Sequence, residues 1–376
     1  MTAVLPARVP DGELLAQVER LVMTESPSED LALTRACAGV VGGLVSEVLG
    51  ERPQELDVDG RPHLLLRSGA ERPVLLLAHL DTVWPAGTTA DWPFSVAGDT
   101  ATGPGVFDMK AGLVQGLHAV RTAGVAGVDL LVTSDEEIGS PTSRSLIERE
   151  ARRARAVLVL EPSADGAPKT ARKGVSMYRL LVTGRASHAG LEPEAGVNAL
   201  VELAAQVAAL AALGDPAAGT TVTPTVARAG TTTNTVPATA ETALDVRAWT
   251  AAEQQRVDDA LRALTPTLDG AALQLLGGVN RPPLEAAAST ALMALAARCA
   301  AELGFALPDG RAVGGGSDGN FTAGIGVPTL DGLGAVGAGA HARGERVSVP
   351  ALAERTALVA RLLQVLTNDD AQEDTP

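Results

Sequence analysis

The chain has 376 residues, 46% of them hydrophobic and 20% charged, which is an ordinary globular composition and a length that favours two domains. Its formal net charge of −15 opposes binding to nucleic acids and to anionic membranes, and its two cysteines are too few for a disulfide framework. At the N-terminus there is no basic start followed by an apolar run, and we find no apolar stretch of membrane-spanning length. We therefore expect a cytoplasmic protein.

Short apolar runs alternate with helical patterns in the first half of the chain. The apolar runs are typical of strands buried on both faces of a largely parallel sheet, and they lie at 74–78, 129–133 and 156–160. Helical patterns cover 109–123 and 143–153. This alternation predicts an α/β domain.

The pattern changes near Arg172. Strand-like segments and helical segments then follow in the order β-α-β-β-α-β, at 177–183, 197–213, 221–229, 240–248, 251–264 and 272–276. This order predicts a compact inserted domain with one sheet and two helices on a single face. Helical patterns return at 286–304 and 351–366. We therefore expect a discontinuous first domain over 1–171 and 285–376, and an inserted domain over 172–284.

Carboxylates and histidines follow three of the predicted parallel strands. His79 and Asp81 come after the first strand, Glu136 and Glu137 after the second, and Glu161 after the third. Because the carboxyl ends of parallel strands meet at one edge of a sheet, we expect these side chains to converge. A strand that ends in adjacent carboxylates is electrostatically costly unless cations or water neutralise them.

Two glycine-rich segments add further donors. Asp108 lies where the first of them enters a helix, and His341 ends the second. Taken alone, Asp108 is better explained as a helix N-cap, and His79 with Asp81 as a capped strand end with a solvated carboxylate. Together, imidazole and carboxylate donors without a thiolate suit zinc, or cobalt or manganese. A bridging carboxylate would allow two metals about 3.5–4 Å apart.

These motifs together resemble those of the M20 metallopeptidase family, which includes glutamate carboxypeptidase, acetylornithine deacetylase and succinyl-diaminopimelate desuccinylase. The resemblance extends over nearly the whole chain. It implies a zinc-peptidase-like catalytic domain with a mostly parallel central sheet and two zinc ions. It also implies that the insert is a ferredoxin-like lid and dimerisation domain, so that a homodimer is expected.

The resemblance implies a role for each member of the cluster. His79 would bind a metal and be oriented by Asp81, and Asp108 would bridge two metals. Glu136 would act as general base. The remaining metal ligands would be Glu137, Glu161 and His341.

The resemblance also assigns residues of the insert to the substrate. His188 matches the histidine that reaches across the dimer to stabilise an oxyanion, although a loop histidine is the simpler interpretation from the residue alone. Asn234 and Arg247 would bind the substrate carboxylate, for which the arginine fork is well suited. Lys173, at the hinge, would assist, although a charged linker residue is its simpler interpretation. Outside the insert, the glycine-rich loop around Gly315 could offer backbone N–H groups to the same carboxylate.

The predicted function is hydrolysis of the amide bond of a peptidyl or N-acyl amino acid next to a free carboxylate, by a glutamate carboxypeptidase-like enzyme. Pro104 stands where the deacetylase and desuccinylase branches usually have arginine, and the segment 330–341 also resembles the carboxypeptidase branch more closely. The alternative is an N-acyl amino acid deacylase or desuccinylase. A non-catalytic binding protein would show degenerate ligands, and a one-metal aminopeptidase would need a site for a free α-amine.

Overall fold

The computed structural model describes residues 9–368. Its helices, in chain order, are α1 (Asp11–Val22), α2 (Leu31–Leu49), α3 (Thr88–Asp91), α4 (Ala111–Ala123), α5 (Arg144–Arg153), α6 (Ala199–Ala211), α7 (Ala251–Arg262), α8 (Thr290–Glu302), α9 (Gly319–Gly324) and α10 (Val349–Asn368). Its strands are β1 (Gln54–Val58), β2 (Arg61–Leu66), β3 (Val74–His79), β4 (Ser95–Ala97), β5 (Thr100–Thr102), β6 (Val128–Thr133), β7 (Ala156–Val159), β8 (Lys169–Arg172), β9 (Gly174–Thr183), β10 (Thr221–Ala229), β11 (Thr239–Ala248), β12 (Ala272–Arg281), β13 (Arg311–Val313), β14 (Thr329–Leu330), β15 (Gly337–Ala338) and β16 (Arg346–Ser348).

The chain folds as two compact units. Of the described residues, unit 1 contains those up to Ala171, the segment Ala286–Val313 and those from Ser317 to Asn368. Unit 2 contains Arg172–Glu285 and Gly314–Gly316.

A six-stranded mixed sheet organises unit 1, in the order β1-β2-β6-β3-β7-β14. Strands β6, β3, β7 and β14 are parallel, whereas β1 and β2 are antiparallel additions. Leu76 belongs to the core formed with α1, α2, α4, α8 and α10, and its neighbour Leu75 belongs to the core formed with α5 and α9. Because both faces are covered, the continuously apolar strands are buried at every position, as the sequence predicts.

Helix α2 corrects one expectation. It is 19 residues long and apolar enough to cross a membrane by length and composition, although we expected no such stretch. Cys37, Val41 and Leu44 on this helix are fully buried in the larger core of unit 1, while Arg35 forms exposed ion pairs. This is how the core helix of a globular domain behaves.

Unit 1 also contains a small four-stranded sheet, β15-β16-β5-β4, which the sequence did not predict. Strand β16 pairs with β5 in the register Arg346↔Thr102. This pairing brings the segment that follows His341 next to the glycine-rich turn that contains Asp108.

Unit 2 has the predicted β-α-β-β-α-β order, and its four antiparallel strands lie in the order β10-β11-β9-β12. Leu210 of α6 and Leu261 of α7 share one core with Tyr178 and Leu244 of the sheet. Burial therefore alternates along β11, where every second side chain packs against the helices. Strands β10 and β12 form the two edges.

Candidate active site

Three neighbouring strand ends place the predicted donors at one edge of the sheet in unit 1. His79 is the last residue of β3 and pairs with Thr133 at the end of β6, just before the turn that begins at Glu136. Glu161 lies two residues after β7, and the amide of the intervening Leu160 donates to the Leu77 carbonyl of β3. The parallel register thus brings together the segments that the sequence indicated.

Asp108 lies between two histidines. Its Oδ1 is 3.4 Å from Nε2 of His79, and its Oδ2 is 3.3 Å from Nε2 of His341. His79 Nε2 is also 3.4 Å from Oε1 of Glu161, and His341 Nε2 is 3.1 Å from Oε2 of Glu137. The two oxygens of one carboxylate therefore face two different groups of donors.

The donor atoms form overlapping groups with spacing suited to metal ions. Within each group all atoms lie within 4.8 Å of one another, and the groups are His79–Asp108–Glu161, Asp108–Glu137–His341 and His79–Glu136–Glu137. In the described part of the chain, His79 Nε2, Asp108 Oδ1 and Glu137 Oε1 are buried without a hydrogen-bond partner. A buried polar atom without a partner costs about 1–3 kcal/mol, so this cluster fits a bound cation.

Asp81 orients the ring of His79 from the side opposite the donor cluster. Nδ1 of His79 lies 3.0 Å from the Asp81 carbonyl oxygen and 3.4 Å from Oδ1, so that Nδ1–H faces Asp81 and Nε2 faces the donor cluster. The Asp81 carboxylate also accepts from the Ser28 hydroxyl and from the amides of Glu136 and Glu137. One buried carboxylate thus positions both the histidine and the turn with the two glutamates.

The electrostatics of the cluster favour positive charge between its carboxylates. Burial raises the pKa of Glu137 to about 7, and the Asp108 carboxylate adds to this rise. Contacts with Asp108 and Glu137 raise the pKa of His341 to about 10. Burial opposes the charged form of His79, but its contacts with three carboxylates hold its pKa well above the ordinary value. A metal cation bound by the same atoms would balance the negative charge of these carboxylates in the same way.

Asp135 and Lys169 are two further polar residues near this cluster. Oδ2 of Asp135 accepts from the amide and hydroxyl of Thr142, so that Asp135 holds the segment after the glutamate turn. Nζ of Lys169 lies 3.8 Å from Oε2 of Glu161. Asp135 could have been predicted as a site residue because it begins the acidic run 135–137, whereas no local sequence pattern indicates a role for Lys169.

In unit 2, His188 and Asn234 lie on adjacent segments. His188 bridges to Thr235, and the Ala189 amide donates to the Asn234 carbonyl at 2.9 Å. Nδ1 of the exposed His188 accepts from the amides of Gly190 and Leu191, so the neutral ring carries its proton on Nε2. His188 therefore presents an N–H donor.

Arg247, Lys173 and Gly315 belong to other parts of unit 2. Arg247 pairs with Val175 at the start of β9, far along β11 from the end near Asn234. Its guanidinium binds both carboxylate oxygens of Asp245, at 2.7 and 2.8 Å. The guanidinium that the family resemblance assigns to a substrate carboxylate thus binds a carboxylate of its own strand.

Lys173, which precedes β9, contacts two residues of its own unit. Its Nζ donates to the Gly219 carbonyl and lies 5.2 Å from the centre of the Trp249 ring. The Gly315 carbonyl accepts from Arg172 at 3.1 Å.

The chain matches the family model described as Peptidase family M20/M25/M40 over residues 75–365. The chain belongs to this family. Carboxypeptidase G2 of Pseudomonas sp. (strain RS-16) is 35% identical to this M20 peptidase over 308 residues, which are 78% of this chain and 74% of the relative. Succinyl-diaminopimelate desuccinylase of Dechloromonas aromatica (strain RCB) is 28% identical over 369 residues, 89% of this chain and 95% of the relative.

The fold of this M20 peptidase is also similar to solved structures. The M20 family metallo-carboxypeptidase Sso-CP2 of Sulfolobus solfataricus superposes with a TM-score of 0.72 at 17% identity, covering 94% of this chain and 99% of that one. The predicted fold class, an α/β catalytic domain with a mostly parallel central sheet and an inserted β-α-β-β-α-β domain, is thereby confirmed. The chain is a hydrolase of peptide or amide bonds.

Proposed function

We propose that this M20 peptidase is a two-zinc amidohydrolase, which cleaves the amide bond of a peptidyl or N-acyl amino acid next to a free carboxylate. A glutamate-like terminal residue is the first candidate for the substrate. The observation that carries this proposal is the position of Asp108, whose two oxygens face separate groups of histidine and carboxylate donors.

The two groups define which residues would hold which ion. His79 and Glu161 would bind one ion, Glu137 and His341 the other, and Asp108 would bridge them. The same donors would also accept cobalt or manganese. When bound, such ions act as Lewis acids on a carbonyl oxygen and make water acidic enough to attack near neutral pH.

Glu136 is the proposed general base. Its side chain belongs to the same donor cluster as His79 and Glu137, and its amide donates to Asp81, so its backbone is held in place. Glu136 would take the proton of the attacking water and pass it to the leaving amine.

The geometry of unit 2 supports a homodimer. His188 and Asn234 lie near the Thr239 end of β11, whereas Arg247 lies near its other end. The eight residue steps from Thr239 to Arg247 correspond to about 27 Å of strand. Since one copy of unit 2 cannot place both ends against one small substrate, we propose that His188 and Asn234 act in the site of the partner subunit.

Helix α6 and the edge strand β10 offer a surface for this dimer. Leu200 and Val201 at the start of α6 are 48% and 51% exposed, which is unusual for large apolar side chains next to each other. Strand β10 lies beside α6, and its outer edge has no strand neighbour among the described residues. Apolar surface next to an unpaired strand edge favours pairing with a second copy.

Arg247 is the proposed partner of the substrate carboxylate, with Lys173 and the amides near Gly315 at the same end of unit 2. Because its fork binds Asp245, a substrate carboxylate would exchange with, or share, that contact. The greater identity with carboxypeptidase G2 supports a carboxypeptidase. The desuccinylase relative, which aligns over most of both chains, keeps an N-acyl amino acid deacylase as the second candidate.

The test combines metal analysis with a substrate panel of N-acyl glutamates, N-acetylornithine and N-succinyl-diaminopimelate. Two zinc ions per chain and turnover of a glutamate-terminated substrate support the proposal. The variant Glu136→Gln should keep both ions and lose turnover, because the amide cannot accept the proton of water. Turnover of only N-acetylornithine or N-succinyl-diaminopimelate would instead support an N-acyl amino acid deacylase. A wild-type protein that binds no metal and has no activity would contradict the metal centre.

A further inference from the structure

Glu345 is a fully buried carboxylate that accepts four hydrogen bonds inside unit 1. The donors are Trp84 Nε1 at 2.8 Å, the Gly105 amide at 2.9 Å, the Phe107 amide at 2.8 Å and the Asp108 amide at 2.9 Å. Each oxygen accepts two of these bonds, so the desolvated charge is met on both sides. Three of the four donors belong to the turn that ends at Asp108.

The backbone of Glu345 closes the loop that contains His341. Its amide donates to the Ala342 carbonyl, and the Ala342 amide donates to the Gly339 carbonyl. Gly339 has a φ of 85°, and a Cβ there would lie 3.1 Å from Cα of Glu345. His341 itself has a φ of 61°, a left-handed conformation that residues other than glycine rarely adopt, so contacts elsewhere in the loop must hold it.

Glu345 therefore joins three segments of the site. Its side chain binds the turn before Asp108, its backbone closes the loop of His341, and Trp84 lies three residues after Asp81 on the segment that follows β3. We propose that Glu345 is a positioning residue, which holds the carboxylate of Asp108 and the ring of His341 at the separation needed for a shared metal site. This inference rests on the proposed function in taking Asp108 and His341 as metal ligands.

The variant Glu345→Gln is the sharpest change at this position. It keeps the shape of the side chain, but its amide nitrogen would face two N–H donors and could accept from neither. The turn should then open more often, and Asp108 and His341 should lose their fixed separation. Loss of such a supporting contact typically weakens metal binding about 10- to 100-fold.

Two measurements separate positioning from general stability. Hydrogen exchange of the metal-free protein should show faster exchange of the Gly105, Phe107 and Asp108 amides in Glu345→Gln than in wild type. Zinc affinity, measured by competition with a chromophoric chelator, should fall about 10- to 100-fold. Trp84→Phe removes one of the four donors, so it should change amide exchange and zinc affinity in the same direction as Glu345→Gln but to a smaller extent. It replaces Glu345→Gln as the test if that variant does not fold.

Glu202 provides the matched control in unit 2. It is also fully buried, and it accepts from Gln206 Nε2, from the Thr267 amide and hydroxyl, and from the Leu268 amide. Glu202→Gln should lower the thermal stability without changing zinc affinity or exchange at residues 105–108.

Two outcomes would overturn the inference. The first is that Glu345→Gln and Trp84→Phe keep both the amide exchange rates and the zinc affinity of the wild type. The second is that Glu202→Gln loses as much zinc affinity as Glu345→Gln does. A wild type that binds no zinc contradicts the proposed function instead, and the exchange of the metal-free protein then still decides whether Glu345 holds the turn.

Discussion

Oδ2 of Asp108 lies 3.3 Å from Nε2 of His341, although 233 positions of the sequence separate the two residues. The other oxygen of the same carboxylate faces His79. Both proposed metal positions therefore depend on one side chain, and a change at Asp108 should affect them together.

Asp108→Asn is expected to abolish binding of both ions, because the amide presents only one oxygen in place of two. Zinc affinity should fall by more than about 100-fold, the upper value for loss of a merely supporting contact. Metal content after dialysis and the rate of hydrolysis report this directly. The exposed Asp57 on β1 offers a control, since Asp57→Asn removes the same charge away from the cluster. Retention of one tightly bound ion in Asp108→Asn would argue against the bridging role.

The parts of this structure that follow local patterns could be predicted from the sequence. Apolar runs and strand-end donors placed His79, Glu136 and Glu161 at one edge of the sheet, because the ends of parallel strands must meet there. The periodicity of unit 2 predicted its β-α-β-β-α-β order in the same way. The roles of the individual site residues are not settled by these patterns and remain predictions.

The remaining features depend on contacts between distant segments, which leave no local pattern. The small sheet that joins β5 to β16 and the contact of Glu345 with the Asp108 turn are both of this kind. The ion pair between Asp245 and Arg247 is different, because it could have been predicted from the sequence. Residues two apart on a strand share a face, so the two side chains of β11 lie next to each other. Predicting it would have shown that the arginine fork already has a partner.

His118 predicts a specific dependence of stability on pH. It is fully buried in α4, where Nε2 lies 2.7 Å from the side-chain oxygen of Gln17, and burial together with Arg121 lowers its pKa to about 4. An unfolded histidine titrates near 6.5, so between about pH 4 and 6.5 the unfolded chain binds more protons than the folded one. The free energy of unfolding should therefore fall as the pH decreases through this window.

The check is urea unfolding of the metal-free wild type and of His118→Gln at pH 7 and pH 4.5. Wild type should lose about 1–3 kcal/mol more than the variant between these values, because the variant lacks the titrating group. Equal losses would mean that His118 binds its proton equally well in the folded and unfolded states.

The exposed apolar start of α6 predicts the oligomeric state. Leu200→Glu would place a charge in the proposed interface, where it would be desolvated without a partner. We expect sedimentation to change from dimer to monomer and hydrolysis to fall with it. The control is Glu55→Gln, an exposed change on β1 in unit 1. A dimer that persists unchanged in Leu200→Glu would exclude this surface as the interface.

The distance between the two ends of unit 2 predicts complementation between inactive variants. If His188 acts in the partner's site while Arg247 acts in its own, a mixed dimer of His188→Ala and Arg247→Ala contains one intact site and one doubly impaired site. Random exchange of subunits should make about half of the dimers mixed, so activity should recover to about a quarter of the wild-type value. Mixing His188→Ala with Asn234→Ala is the control, since both side chains come from the same end of the same copy and neither site is restored. Recovery in the first mixture alone supports catalysis across the dimer, and the absence of recovery in both would mean that each chain completes its own site.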